Sequence, residues 1–281
     1  MIRDGDFPAL DSRLLDELTT LVSAAGAAIL AARAGALDAR TKADLSPVTA
    51  ADHAAEAVIL EGLARLLPGV SVVSEEASAA DSALPAGMPD SFVLVDPLDG
   101  TRELVAGRDE FTVNVAVVSR GRPRLGIVAA PAQGILWRGI EGQGAERLRL
   151  SPGAPASAAQ ERTAIRTRLS PPTGFVAVVS RSHLDADTQK FLARLPIADR
   201  LACGSAVKFC QVAEGAADVY PRLSTTCEWD VAAGHAVLAA AGGAVLTPEG
   251  APLRYGQASR NFRVSAFVAW GDPSSPARLG I

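Results

Sequence analysis

The sequence predicts an α/β protein in two parts, an α+β first half followed by an α/β second half. Three observations predict it. Two helical periodicities occupy residues 12–67, short β-branched segments fill 70–140, and apolar strands alternate with helical stretches beyond 163.

Along 12–33, Leu14, Leu18, Leu21, Val22, Ala25 and Ile29 recur at three- and four-residue steps, the spacing of one helix face. Ser46-Pro47-Val48-Thr49 breaks that pattern. Thr49 or Asp52 offers a cap for the next helix, which carries Ile59, Leu63, Leu66 and Leu67 and stops at Pro68-Gly69. Residues 70–74 are short and β-branched, and 92–96 form a continuous apolar run ending in Asp96. In 111–119, Phe111, Val113, Val115 and Val117 share one face, with Thr112 and Asn114 on the other. Gly121-Arg122-Pro123 makes a turn, and 125–130 and 135–140 extend the meander. The stretch 151–163 is small-residue, Pro-containing and patternless. It marks a boundary between subdomains at 1–155 and 164–281. Beyond it, strands are expected at 175–180, about 197–201, near 218–220 and at 244–246. Helices are expected at about 185–195, 205–214 and 230–241.

The 281 residues suffice for one large domain or two small ones, with 48% hydrophobic and 21% charged residues. A net charge of −4 argues against a basic surface for a nucleic-acid polymer. An anionic ligand would need locally placed cations, and a metal site supplies them. Cys203, Cys210 and Cys227 are odd in number and lack CxxC spacing, so they read as reduced thiols of a cytoplasmic protein. Residues 1–6 do not read as a signal peptide, because no apolar core follows the first charge. Two uncharged stretches, 18–32 and 231–248, superficially resemble membrane spans. The first is short and rich in Ala and Gly; the second holds His235 and breaks at Gly242-Gly243, so no transmembrane segment is expected.

The sharpest chemical feature is Asp96-Pro97-Leu98-Asp99-Gly100-Thr101, which closes the apolar strand at 92–96. Two carboxylates and a glycine sit where a strand opens into a loop, a usual place for ligand sites in α/β proteins. Pro97 fixes φ, and Gly100 permits backbone geometry that other residues resist. Hard divalent cations such as Mg2+ take oxygen ligands, which suits Asp96, Asp99 and the Leu98 carbonyl between them. The plainer alternative is a tight turn with two solvated aspartates. Haloacid-dehalogenase-type phosphatases carry Asp-x-Asp-Gly-Thr after a strand and use the first Asp as a nucleophile. Here two residues separate the acids, so Asp96 does not match that position. Glu75-Glu76 follows the strand at 70–74, as adjacent carboxylates beside a cation or as an exposed acidic loop. Asp230 opens an Ala-rich helix, as a ligand or as its N-cap, and Asp52 could likewise cap a helix.

The order of these pieces is Ser46-Pro47-Val48-Thr49-Ala50-Ala51-Asp52, Ser74-Glu75-Glu76, Asp96 to Thr101, then Trp229-Asp230-Val231-Ala232-Ala233-Gly234. From about residue 12 to 270 the chain resembles the inositol monophosphatase superfamily. That resemblance implies a layered αβαβα sugar-phosphatase fold. Glu103 stands where inositol phosphatases usually have Asn-Phe after Asp-Gly-Thr. Together with Ser180-Arg181-Ser182-His183, Gly204-Ser205-Ala206-Val207-Lys208 and Tyr220-Pro221-Arg222, it resembles the bisphosphate-nucleotidase branch. Arg102 departs from the Lys common there but keeps the charge.

The resemblance implies hydrolysis of the 3'-phosphate of 3'-phosphoadenosine 5'-phosphate to AMP and phosphate, by metal-activated water without a covalent intermediate. Two or three Mg2+ ions would be ligated by Glu75, Asp96, the Leu98 carbonyl, Asp99 and Asp230. Thr101, paired with Asp52, would activate the water, with Glu75 in the catalytic set. The substrate would be held by Leu98, Asp99, Gly100, Thr101 and Asp230, and its second phosphate by His183, Ser205, Lys208 and Arg222. The subdomain at 1–155 would thus carry most metal ligands, and that at 164–281 would carry Asp230 and the substrate-selecting residues. Cys203 and Cys210 are read as packing residues and Trp229 as core. The family also implies inhibition by Li+. Peripheral attachment to the inner membrane occurs in the branch, but nothing basic or amphipathic here demands it. A homodimer is left open. The alternative function is an inositol monophosphatase or broader sugar phosphatase with the same metals. A catalytically dead regulator is disfavoured, because every expected acid and Thr101 are present.

Overall fold

The computed structural model describes residues 8–35, 37–41, 47–80, 88–181 and 184–280. Residues 1–6, Ser46, Ser182 and His183, on which readings above fall, lie outside the described residues.

Helix α1 (Ser12–Arg33) starts at Asp11, whose side chain accepts a hydrogen bond from Leu14 N at 2.9 Å. Its face of Leu18, Val22, Ala25 and Ile29 is fully buried. The short strands β1 (Arg40–Thr41) and β2 (Pro47–Val48) pair antiparallel and lead into α2 (Ala50–Leu66). Thr49 is the N-cap of α2, and Asp52 at the third helical position accepts from Thr49 N at 2.8 Å, closing a capping box. The two helices meet closely at Gly62, where an added Cβ would lie 2.2 Å from Leu21 Cδ1.

A seven-stranded sheet follows: β3 (Ser71–Ser74), β4 (Ser91–Asp99), β5 (Thr112–Ser119), β6 (Arg122–Ala130), β7 (Ile135–Ile140), β8 (Gly144–Arg149) and β9 (Glu161–Ile165), paired in that order. Only β3 and β4 are parallel. Short helices α3 (Glu75–Ala80) and α4 (Thr101–Val105) leave the ends of β3 and β4.

The second sheet comprises β10 (Phe175–Ser180), β11 (Ile197–Cys203), β12 (Val219–Arg222), β14 (Ala244–Leu246) and β16 (Phe267–Trp270), in the order β11-β10-β12-β16-β14. A two-residue ladder of β13 (Thr226–Cys227) and β15 (Arg263–Val264) stands beside it. Helices α5 (Ala186–Ala193), α6 (Val207–Ala213), α7 (Glu228–Ala240) and α8 (Ser275–Leu279) complete the chain.

Three apolar clusters define five layers. Alternate residues of β4 and β5 (Val93, Val95, Val113, Val115) pack with α1 and α2 on one face of the first sheet. The opposite residues (Phe92, Leu94, Ala116, Val118) pack with α6, α7 and the inner face of the second sheet. The outer face of the second sheet packs on α5 through Phe191 and Leu192. The order is therefore αβαβα, as the resemblance implies. Both faces of β4 are covered, which explains why 92–96 reads as a continuous apolar run.

Three expectations are corrected. The stretch 151–163 is not patternless: it holds a 3-10 turn at Ala156–Ala158 and the start of β9, which pairs with β8. Four of the five β9 residues are exposed, so an edge strand gave no apolar signal. The 92–96 strand does not open into a loop at Asp96. It continues to Asp99, with its register against β5 shifted between Asp96 and Asp99. Asp230 is not an N-cap; Cys227 is, and Asp230 occupies the third helical position. Helix α1 alone among the described residues is long and apolar enough to cross a membrane by length and composition. Its buried face packs in the core beside β5 and β6.

Candidate active site

The irregular end of β4 places Asp96 in the core, 1% exposed, beside the starts of two other elements. Glu75 opens α3, and Asp230 lies in the first turn of α7. Ligand oxygens of Glu75, Asp96 and Asp230 lie within 4.8 Å of one another. Asp96 Oδ1 accepts from Leu98 N at 3.0 Å, whereas Asp96 Oδ2 is buried without a hydrogen-bond partner. Asp230 Oδ2 accepts from Cys227 N at 3.1 Å and from the Thr226 hydroxyl.

The electrostatics are those of carboxylates forced together. Burial pushes the Asp96 carboxyl well above its ordinary range, and Glu75, Asp99 and Asp230 push it further. Asp99 is pushed up to about 6, first by burial and then by Asp230, while Lys208 and Arg222 pull it down. A buried, unpartnered carboxylate oxygen among two other hard oxygen donors fits a divalent cation, which would supply the missing partner charge.

Beside the acids, Gly100 takes φ +100° and opens α4. Thr101 Oγ1 lies 3.0 Å from Asp52 Oδ1 and 3.3 Å from the Leu98 carbonyl. Asp52 is 1% exposed, and its other oxygen is engaged by Thr49, so one carboxylate both caps α2 and fixes Thr101. The second half of the chain contributes cations to the same space. Lys208 is 4% exposed; its Nζ donates to the Ser205 carbonyl at 2.5 Å and sits 5.4 Å from the Tyr220 ring centre. Ser205 Oγ and Arg222 Nε are buried without partners. Acids and cations face one cavity of about 250 Å³.

A family model described as the inositol monophosphatase family matches residues 11–270. The chain belongs to the inositol monophosphatase family. The 3'(2'),5'-bisphosphate nucleotidase CysQ of Escherichia coli (strain K12) is 41% identical over 254 residues, spanning 86% of this chain and 94% of that protein. The Buchnera aphidicola protein of the same name is 33% identical over 260 residues, spanning 92% and 93%. Among solved structures, CysQ from Bacteroides thetaiotaomicron matches with a TM-score of 0.75 at 32% identity, covering 93% of this chain and 97% of that one. Inositol monophosphatase from Anabaena matches with a TM-score of 0.71 at 25% identity, covering 95% and 94%. The family is metal-dependent, and the acidic group at the β4 end is where this member can meet that need.

Within the family frame, the residues singled out in the sequence fall as follows. Glu75, Asp96, Leu98, Asp99, Gly100, Thr101, Ser205, Lys208, Arg222 and Asp230 all line the cavity. Asp52 reaches it through Thr101. Asp99 lines the same space but is not one of the three mutually close carboxylates. His183 lies outside the described residues. Lys208 is not a surface charge, and Trp229, 8% exposed against Phe262, packs in the core.

Sequence reasoning missed the aromatic wall of Phe209, Tyr220 and Phe267, whose ring centres lie 5.0–5.3 Å apart. Apolar residues in strands and helices give no sign that they also edge a cavity. It also missed Thr112 and Asn114 as neighbours of the acids. They stand opposite Asp99 and Asp96 on β5, buried, with Thr112 Oγ1 and both Asn114 amide atoms unpartnered. Their placement on the face opposite Val113 and Val115 was the available signal.

Proposed function

We propose that this chain is a Mg2+-dependent 3'(2'),5'-bisphosphate nucleotidase. It hydrolyses the 3'-phosphate of 3'-phosphoadenosine 5'-phosphate, a small-molecule substrate, to AMP and phosphate. The observation that carries the reading is a single cavity lined both by the carboxylates and by two cations, buried Lys208 and half-buried Arg222. A monophosphate ester needs only the first; a second phosphate on the same substrate needs the second. The names of the CysQ relatives, at 41% and 33% identity, point the same way.

In this reading Glu75, Asp96, Asp230, Asp99 and the Leu98 carbonyl hold two or three Mg2+ ions. When bound, the ions neutralise phosphoryl oxygens, acidify a water molecule and stabilise the departing oxygen. The chain supplies the rest. Asp52 accepts the Thr101 hydroxyl proton in a hydrogen bond, leaving Thr101 Oγ1 lone pairs to accept from the attacking water and orient it. Glu75, half-buried at the same wall, joins Thr101 in setting the water's approach. The water oxygen forms the new P–O bond, the P–O3' bond breaks, and the 3'-oxygen leaves with a proton as the AMP hydroxyl. The backbone at Asp99, Gly100 and Thr101 and the first turn of α7 at Asp230 border the transferred phosphate, where a helix N-terminus favours negative charge. Ser205, Lys208 and Arg222, with His183, take the 5'-phosphate. The protein is read as cytoplasmic.

The test is phosphate release from 3'-phosphoadenosine 5'-phosphate and from inositol 1-phosphate, in parallel, with Mg2+. A clear preference for the nucleotide is expected. Preference for the inositol ester would replace this reading with a monophosphatase working through the same carboxylates.

A further inference from the structure

Glu110, which no motif above includes, joins the two halves of the site. It sits just before β5, and its backbone carbonyl is pressed from both sides. A Cβ at Gly100, in the carboxylate loop, would lie 2.9 Å from Glu110 O, and a Cβ at Gly204, in the turn after β11, would lie 3.2 Å from the same atom. Its side chain then grips that turn. Glu110 Oε2 accepts from Gly204 N at 3.0 Å, and Oε1 is paired with Arg181, which itself donates to the Ala202 carbonyl at 3.0 Å. The next residue, Ser205, holds φ +48°, a region that non-glycine residues enter only when the surroundings enforce it. Lys208 secures the other side of the turn through the Ser205 carbonyl. The turn is thus clamped by one anion and one cation, and the product of the clamping is a buried, unpartnered Ser205 Oγ at the cavity wall.

We infer that Glu110 is a positioning residue for substrate selection: it fixes the 203–205 turn, with Ser205 and Lys208, at a set distance from the carboxylate loop. The inference rests on the bisphosphate reading above. It assigns Glu110 to recognition of the phosphate that is not cleaved and leaves the cleaved one to the carboxylates. Glu110→Ala removes both grips. Glu110→Gln keeps an oxygen for Gly204 N and loses the charge that pairs Arg181, so it should recover part of the loss.

The experiment compares kcat/KM for 3'-phosphoadenosine 5'-phosphate and for 3'-AMP, which shares the cleaved phosphate and lacks the other. Wild type, E110A and E110Q are measured at saturating Mg2+. In E110A the value for the bisphosphate should fall about tenfold, mostly through KM, with that for 3'-AMP nearly unchanged. E110Q should lie between E110A and wild type. If both substrates lose equally in the two variants, or neither loses, Glu110 only supports the fold and the inference is overturned. If wild type itself does not favour the bisphosphate, the functional reading fails first and takes the inference with it.

Discussion

Asp96 holds an unfavourable position for the sake of chemistry. Its buried carboxylate has an oxygen with no partner and feels Glu75, Asp99 and Asp230. Replacement by asparagine keeps the shape and removes the charge. Asp96→Asn should therefore cut hydrolysis by about a hundredfold or more. In EDTA the variant should melt no lower than wild type, because repulsion among the acids is relieved. A steady-state assay paired with a metal-free melting curve checks both halves. Thr101→Ala acts differently. It removes the hydroxyl proposed to orient the water and leaves the three carboxylates in place, so kcat should fall by about a hundredfold while Mg2+ affinity, read by calorimetry, stays near wild type. At this scale the sequence was most legible where chemistry is concentrated in a short run, as in Asp96 to Thr101. Glu110 was illegible because its partners, Arg181 and Gly204, lie 71 and 94 positions away. Asn114 is a polar residue in an apolar strand, and only the register with Asp96 gives it meaning.

Helix α7 is the element on which the site geometry turns. It carries Asp230 in its first turn and rests on the first sheet through glycines. A Cβ at Gly126 of β6 would meet the Ala233 carbonyl at 2.3 Å and Ala236 Cβ at 2.7 Å, both from α7. Gly126→Ala must lift the helix from the sheet. The expected result is a loss of about 1–3 kcal/mol in stability by urea denaturation, with reduced turnover because Asp230 moves away from Asp96. Unchanged turnover at reduced stability would mean that Asp230 does not need its present distance. The α7 helix and the strands of 70–140 were readable because periodicity and β-branching agree there with the packing. The exposed edge strand β9 and the two-residue strands were not, since short or solvated segments bury too little to leave a pattern. The continuation of β4 through Pro97 was hidden for another reason: a bulged strand end carries loop-like residues.

Across the whole molecule, five layers bring Glu75, Asp96 and Asp230 together from widely separated segments, and the chain order alone did not reveal their mutual distance. The same layering half-buries His235 of α7, whose Nδ1 lies 2.8 Å from the Tyr255 hydroxyl. Burial first, and Arg122 second, hold the imidazole down to about 3, against an ordinary 6.5. The unfolded chain therefore binds the proton more readily than the folded one. Stability from this group is present above about 6.5 and is lost as pH falls from there toward 3. The loss approaches roughly 1.4 kcal/mol per pH unit within that window. With Mg2+ saturating, so that the carboxylates of the site stay ionised, His235→Gln should flatten the fall in melting temperature between pH 7 and pH 5. An equally steep fall in the variant would assign the acid sensitivity elsewhere. Li+ should inhibit turnover at millimolar concentrations, as the family implies, through competition at the same carboxylates.

Hydrolysis by this route depends on one set of oxygens holding divalent metal. The most direct measurement is an anomalous difference map from crystals soaked in Mn2+, a scattering substitute for Mg2+. The prediction is strong density within coordinating distance of Glu75, Asp96 and Asp230 together. Density elsewhere, with these three carboxylates left unligated, would contradict it.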